Sequence, residues 1–561
     1  MMGAINVTGG YCQDTLGLWF ITHPVEIMSA IFATFIVLLI LNTNTIKDSL
    51  KSSFKGMERK TLLILFVIFV LGFWLRNAEY RYGTGYDGYF YLNSAKLMLD
   101  YDIQAWSCGI GNDDRCYLYN EHLSPAGYPY LIYLSYMFFG VHDIYAMMIS
   151  GLLGSLTILL VFLITYLLFK KERPALYSAM IFAFIPFDIF LSSTGAVRPT
   201  SLFFLGLTFF LYLIALKKDS MKLWSLVAIT LSYSIYMRQE NSLLLIPMIL
   251  LFILERKSNL KHLYKIDVFG LLKKYSLPLL IFVVSQIPVQ HWVLLYMSIY
   301  SLYSIQNFHV LASLILGTFF LPLNFMGNTF FYNPVISVFF IISSLLLIIA
   351  RTRSKVLVIW IWFLAFFILY SLYFQCLGFP EYFCFEYLRY MQHLHIPIAI
   401  LSGLVFYEVE KRVHFKHIGW AILSVLFIIT LSFLFFVPNI SGIEFALFKD
   451  GRMEEPFTSE MIKAINKTPS NSIIFISQAI IPTFDYFEND NRIVVDINIY
   501  NSNNYSWTKD VLNDNRGIPV YFVDDGACGD YLENTQCDFL REKFELNGIE
   551  SVDRIRIFEL K

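Results

Sequence analysis

The chain holds 561 residues, of which 57% are hydrophobic and 15% charged, and its formal net charge is −1. Soluble proteins average about 45–50% apolar and about 25% charged residues, so the composition excludes an ordinary soluble globule, and the near-zero charge excludes the basic footprint of a nucleic-acid binder. The mean hydropathy of +0.58 comes from repeated apolar blocks near or above the ~17–20 residues that cross a bilayer.

These blocks predict an α-helical polytopic membrane protein. In chain order, twelve spans are expected near 25–41, 61–75, 143–169, 174–192, 200–216, 222–237, 242–254, 275–289, 334–350, 356–374, 389–407 and 418–437. The pieces at 61–75, 222–237, 242–254 and 275–289 are short and need flanking residues or a thin local bilayer. The first span is not expected to be a cleaved signal, because its basic residues follow it instead of preceding it. The basic stretches "KDSLKSSFKGMERK", "KKER", "KKDSMK", "ERKSNLKHLYK", "RTRSK" and "EKRVHFK" fall in alternate loops. All of them are cytoplasmic only if both chain termini lie outside.

Between the second and third spans lies the outer segment 76–142. It carries "GTGYDGYFYLNSAKLMLDYD", a predicted amphipathic helix near 88–100, a Cys-bounded loop, and "HLSPAGYPYLIYLSYMFFG". The last piece follows a Pro and is rich in Tyr, as in segments that lie in the membrane interface. A second outer segment, 290–333, is aromatic and lacks Lys and Arg. It reads as a membrane-skimming loop or as buried hydrophobic helices. From about residue 438 charges become frequent and short strands alternate with helices. "SIIFIS", "RIVVDI", "IPVYFV" and "RIRIFEL" read as strands, and "SEMIKAIN", "WTKDVL" and "YLENTQCDFLREKFE" as helices. A small extracytoplasmic α/β domain is therefore expected at 438–561. It shows no Gly-rich phosphate loop and no metal-ligand cluster. No internal repeat and no inverted pair of broken spans is evident.

Six of the seven cysteines form close pairs, Cys108 with Cys116, Cys376 with Cys384, and Cys528 with Cys537, and every pair falls in a segment already placed outside. Disulfides persist in that compartment, and each would contribute about 2.5 kcal/mol through its short loop. Unrelated free thiols are the alternative. Cys12 is left over. Asn6, Asn439, Asn466 and Asn504 each begin a sequon, and all lie outside.

Three arginines break the charge rule. Arg198, Arg238 and Arg389 sit at the outer ends of spans, where a charge costs about 2.5–3.5 kcal/mol on insertion scales. Three at one level point to an anion, and phosphate is the natural one at a bilayer surface, since Arg matches its geometry. Snorkelling, or pairing with Glu240 and Glu386, is the plainer reading. Asp188 in "FIPFDIFLSS" faces a cavity or pairs with an arginine. His122 in "NEHLSPAGYP" is a candidate substrate contact or a satisfied loop residue. Asp87, between Gly85 and Gly88 on either side of the motif, is a candidate catalytic carboxylate or a solvated loop acid. Tyr86, Tyr89 and Tyr91 around it can stack on sugar or headgroup faces.

Four stretches together, "YDGYFYLNSAKLML", "HLSPAGYPYLIYLSYMFFG", "RPTSLFFLGLTFFLYLIAL" and "RYMQHLHIPIAIL", resemble the GT-C superfamily of membrane glycosyltransferases. The likeness is to the protein mannosyltransferase and aminoarabinose transferase type, which uses polyprenyl-phosphate-linked sugars. It covers about residues 61–437, leaving 1–60 as an added N-terminal span and cytoplasmic loop. The chain departs from the family pattern in three ways. Gly88 stands where a second acid usually follows Asp87, "SPAG" replaces a Pro-Pro, and the span at 25–41 is extra.

The resemblance implies an integral membrane enzyme, in the plasma membrane or its equivalent, that moves a sugar on the extracytoplasmic face from a polyprenyl- or dolichyl-phosphate donor to an acceptor hydroxyl. The acceptor would be a protein, glycan or lipid. It selects Asp87 as general base for an inverting transfer. No cofactor is required by this scheme, and a divalent metal is left open. An oligosaccharyltransferase-like transfer, a transporter of lipid-linked substrates, and a non-catalytic scaffold for the α/β domain are the alternatives. The Trp-Trp pair of oligosaccharyltransferases is absent from the sequence.

Overall fold

The computed structural model describes residues 6–8, 19–20, 22–78, 87–104, 108–110, 115–118, 125–142, 144–256, 274–288, 342–343, 353–373, 392–413, 424, 463–476, 493–496, 517–524, 545–552 and 555–561. The expected spans at 418–437, apart from residue 424, and at 334–350, apart from residues 342–343, lie outside them, as does segment 290–333. The chain is a predominantly helical membrane protein. It forms two compact units: Met1–Met28 with Arg81–Tyr145 and Arg452–Lys561, and Ser29–Tyr80 with Ala146–Gly451.

In the first unit, strand β1 (Asn6–Thr8) pairs in parallel with β3 (Arg115–Leu118), which pairs antiparallel with β2 (Cys108–Ile110). The Cys-bounded loop is thus partly strand, a feature too short to show a period of two in the sequence. Its register sets Cys108 opposite Leu118 and Cys116 opposite Ile110, so the two cysteines are diagonal neighbours. A further sheet runs β5 (Ile493–Asp496), β4 (Ile473–Ile476), β6 (Val520–Asp524), β8 (Ile555–Leu560) and β7 (Leu546–Val552), with the first three parallel and the last two antiparallel. All four residues of β4 are buried, as a central parallel strand covered on both faces requires. Strand β7, "LNGIESV", has the polar composition of an edge strand and carries a bulge at Gly548/Glu550, which is why its pattern is not legible beforehand.

The second unit is a bundle. Helix α1 (Pro24–Phe54, its residues up to Met28 counted in the first unit) continues through the first basic segment, so part of that expected loop is helical. Then come α2 (Arg59–Asn77), and, after the first unit's α3 (Asp87–Tyr101) and α4 (Gly127–Phe139), α5 (Ile144–Phe169), α6 (Glu172–Ala183) and α7 (Pro186–Ser193). The rest are α8 (Val197–Lys218), α9 (Met221–Met237), a tight turn Gln239–Leu244, α10 (Leu245–Arg256), α11 (Lys274–Pro288), α12 (Arg353–Tyr373) and α13 (His395–Val413). Among the described residues, α1, α2, α5 and α8 are long and apolar enough to cross a membrane, and α6 with α7 makes one broken span bent by 56°.

Side-chain contacts fix the helix directions. Thr61 and the Glu58 N–H, at the start of α2, both donate to Glu172 at the start of α6, so these helices run parallel. Glu410, near the end of α13, accepts from Arg173 in the first turn of α6 at 3.1 Å and from Tyr177 in its middle at 2.8 Å, so that pair is antiparallel. A Cβ at Gly403 would come within 2.7 Å of the Ser178 backbone nitrogen, which is why α13 carries a glycine at its contact with α6. Phe204 with Tyr233, 4.7 Å between ring centroids, and Tyr212 with Trp224, 5.6 Å, set α8 against α9. Trp362 of α12 is fully buried against Phe209, with centroids 4.8 Å apart.

Candidate functional site

The helix directions separate the bundle into two ends. At one end lie the starts of α2 and α6 and the ends of α8 and α13, with Lys170, Lys171, Lys217, Lys218, Lys411 and Arg412 around them. The opposite end gathers the end of α2, the helix α7, the starts of α8 and α13, and the turn after α9. There a group of polar residues, among them Arg76, Asp188, Asn241, Gln392 and His393, is buried.

Its centre is Arg76, the next-to-last residue of span "FVLGFWLRN", 0% exposed and ion-paired with Asp188 at 2.7 Å. The reason lies in the break between α6 and α7. Pro186 cannot donate to the Phe182 carbonyl four residues back and its ring clashes there, so the helix breaks and Phe182 O keeps only a long bond from the Ile185 N–H, 3.4 Å. Arg76 donates at this break, Nη2 to Phe182 O at 3.1 Å and Nη1 to Ala183 O at 3.0 Å, while Nε reaches Asp188 Oδ2 at 3.2 Å. Asp188 also accepts from Gln392 Nε2 at 2.6 Å and lies 3.4 Å from His395 Nδ1. Asp188 therefore does pair with an arginine, but with Arg76 and none of the three singled out in the sequence.

A second chain of polar contacts runs beside it. Asn241 donates to the Ser201 hydroxyl at 2.8 Å, Ser201 lies 3.5 Å from His393 Nε2, and His393 Nδ1 lies 2.8 Å from the Tyr370 hydroxyl. Phe366 stacks on the His393 ring, centroids 5.1 Å apart. Arg198 sits in the first turn of α8 with 2% of its surface exposed. A cation there opposes the helix dipole, and such a conflict between residue and position marks functional sites. Arg238 follows α9 and pairs with Glu240, Nη2 to Oε1 at 2.7 Å. Burial would raise the Glu240 pKa, but the Arg238 charge and hydrogen bonds outweigh it and bring it to about 2. Arg238 is thus neutralised locally, as its plainer reading foresaw.

Asp87 is the first residue of α3 in the first unit. Tyr91, on the same helix, meets Tyr128 edge-on at 5.2 Å. Tyr89 belongs to α3 as well. Tyr86, His122, Arg389, Cys376, Cys384, Cys528 and Cys537 lie outside the described residues. No group of three His, Cys, Asp or Glu side chains is arranged for a metal among the described residues. The sequence reading missed Arg76, Asn241, Tyr370, Gln392, His393 and His395. Arg76 breaks the charge rule as visibly as Arg198 does and was legible. The others are ordinary polar residues until packing brings them together.

Residues 124–284 match the family model of dolichyl-phosphate-mannose-protein mannosyltransferases. The fold is similar to that of ArnT from Cupriavidus metallidurans, in a crystal structure bound to undecaprenyl phosphate: TM-score 0.55, 14% identity, 89% of this chain and 97% of that chain covered. It is also similar to the archaeal oligosaccharyltransferase AglB from Archaeoglobus fulgidus, in complex with an inhibitory peptide and a dolichol-phosphate: TM-score 0.50, 12% identity, 90% and 74% covered. No curated protein sequence matches the chain. Sequence and fold are thus both similar to membrane glycosyltransferases of the GT-C kind. Within that superfamily the likeness is to the mannosyltransferase and aminoarabinose transferase type. The matched residues begin past Asp87 and His122, so the role of these two rests on the motif alone.

Proposed function

We propose that the protein transfers a sugar from a polyprenyl-phosphate donor to an acceptor hydroxyl on the extracytoplasmic face, with inversion at the anomeric carbon. The observation that carries this reading is the buried polar end of the bundle, away from the basic loops, in a fold whose solved neighbours hold undecaprenyl phosphate and dolichol-phosphate.

The donor phosphate leaves as an anion, so the weak partner is the acceptor. Asp87 is the general base that takes its proton as the oxygen attacks, a role worth typically 10²–10⁴-fold. Direct attack with a single base inverts the anomeric carbon. Arg198 and Arg389 are the phosphate ligands, and Arg238 joins them if the donor draws it from Glu240. Tyr86, Tyr89 and Tyr91 cover apolar sugar faces, with His122 as a further substrate contact. A divalent metal has no ligand set among the described residues and no step is assigned to it. The three cysteine pairs are disulfides in this reading, and residues 438–561 are an extracytoplasmic α/β domain. Transfer of a whole lipid-linked glycan is the second reading, favoured by the likeness to AglB.

Incubating the purified protein with a radiolabelled polyprenyl-phosphate sugar and a hydroxyl acceptor tests the first reading. Label should pass to the acceptor with opposite anomeric configuration. Transfer only from a lipid-linked oligosaccharide would establish the second instead.

A further inference from the structure

Two amides in the buried polar end are oriented by partners that can only accept. Asp188, ion-paired with Arg76, accepts and does not donate. Gln392 must therefore turn its NH₂ to it, and Nε2 donates to Asp188 Oδ1 at 2.6 Å. This fixes Oε1 on the far side, where it meets no donor among the described residues although the side chain is fully buried. Asn241 repeats the arrangement. Its Nδ2 faces the Ser234 carbonyl oxygen at 2.8 Å, which leaves Oδ1 pointing away, also buried and also without a donor among the described residues. One path joins the two: Asn241 donates to Ser201, Ser201 lies beside His393, and His393 follows Gln392 in the chain. A buried carbonyl oxygen without a donor is costly, and native proteins leave few. Two of them, each with its NH₂ anchored, are acceptors open to a donor that the described residues do not supply.

We infer that Gln392 and Asn241 are specificity-determining residues that accept hydrogen bonds from hydroxyl groups of the sugar on the lipid-phosphate donor. This rests on the glycosyl-transfer reading above. The chemistry selects the sugar: an ionised phosphate diester offers no hydrogen to donate and an isoprenoid tail has no polar hydrogen, so only the sugar of such a lipid can satisfy these oxygens. A site built to bond a substrate hydroxyl discriminates strongly against the analogue that lacks it.

The test uses the full-length protein in lipid nanodiscs. Binding is measured for bare dolichyl phosphate and for dolichyl-phosphate mannose, glucose and galactose, in wild type and Gln392→Met. The wild type should bind at least one sugar-bearing lipid about tenfold or more tighter than the bare lipid. Gln392→Met should lose most of that preference while its affinity for bare dolichyl phosphate, which also reports folding, stays unchanged. A series of that lipid lacking one sugar hydroxyl at a time should contain a member that the wild type binds about tenfold more weakly and the variant does not distinguish. If the variant does not fold, the wild-type deoxy series decides, and uniform affinity across it overturns the inference. Unchanged selectivity in Gln392→Met, the outcome expected if a buried water serves these oxygens, also overturns it, as does an equal loss for bare and sugar-bearing lipids. Sugar transfer is followed in the same samples. Turnover with unchanged selectivity removes the inference and leaves the enzyme; selectivity without turnover does the reverse.

Discussion

The two ends of the helical bundle use the same chemistry under different conditions. At the end with the basic loops, Lys274 meets Asp219 at 2.5 Å with both side chains 40% or more exposed, and Arg173, 59% exposed, reaches Glu410. At the other end Arg76 meets Asp188 at 2.7 Å with both fully buried. The Lys274–Asp219 pair, exposed on both sides, is worth about 0–1 kcal/mol because water already solvates each partner, whereas Glu410 beside Arg173 is itself only 4% exposed. The buried pair is held in place by what breaking it would leave: a charge with neither solvent nor its partner. Charge at the first end is open to solvent; charge at the second is packed inside the bundle.

The sharpest way to break this contrast is to remove one partner at each end. Asp188→Ala should destabilise the protein by about 3–5 kcal/mol, read as a large drop in thermal unfolding temperature in detergent. Comparable loss from Lys274→Ala would abolish the distinction.

Next in size is the chemistry. Asp87→Asn should keep folding and lipid binding while turnover falls about a hundredfold or more, since the residue acts by charge and not bulk. Near-normal turnover at equal expression would place the base elsewhere. Arg198→Ala and Arg389→Ala should each weaken donor binding by about tenfold or more, with Arg238→Ala giving less because Glu240 already holds its charge. Equal affinity in all three variants would take the arginines out of the phosphate site.

A smaller effect concerns the first unit. Asp102 adopts a left-handed backbone, φ 54°, and accepts the Val25 N–H at 3.1 Å. Burial raises its pKa from 3.8 to about 7, helped by a hydrogen bond with Glu26 and opposed by the Val25 bond. Because the folded-state value is raised, its contribution is fully present below pH 3.8 and is lost as pH rises through about 7. Amide exchange at residues 24–28 should therefore be better protected, after correction for intrinsic rates, at pH 5 than at pH 8. Asp102→Asn should flatten that dependence, and a variant that retained it would show that another group titrates. The smallest effect is Lys274→Ala itself, expected to change stability by no more than about 1 kcal/mol.

The sequence by itself determined the class. A membrane span needs a long apolar run whatever surrounds it, so α2, α5 and α8 fall where hydropathy put them. The motif "YDGYFYLNSAKLML" begins a helix at Asp87 because its local pattern suffices. "RIRIFEL" is a strand because its alternation matches the pleat. The order of four loose motifs carried the GT-C likeness that the fold then repeated.

Only tertiary structure decided the rest. Hydropathy reads 174–192 as one span, whereas the structure breaks it by 56° before Pro186 and sets Arg76, 110 positions away, against the Phe182 and Ala183 carbonyls. Asn241 and Gln392 look like any polar residues at span ends until Ser234 and Asp188 fix which atom of each amide is used. Hydropathy is a property of one segment read alone. A hydrogen bond between α2 and α7, or between α9's turn and α8, depends on how helices distant in sequence pack, and no local signal encodes that.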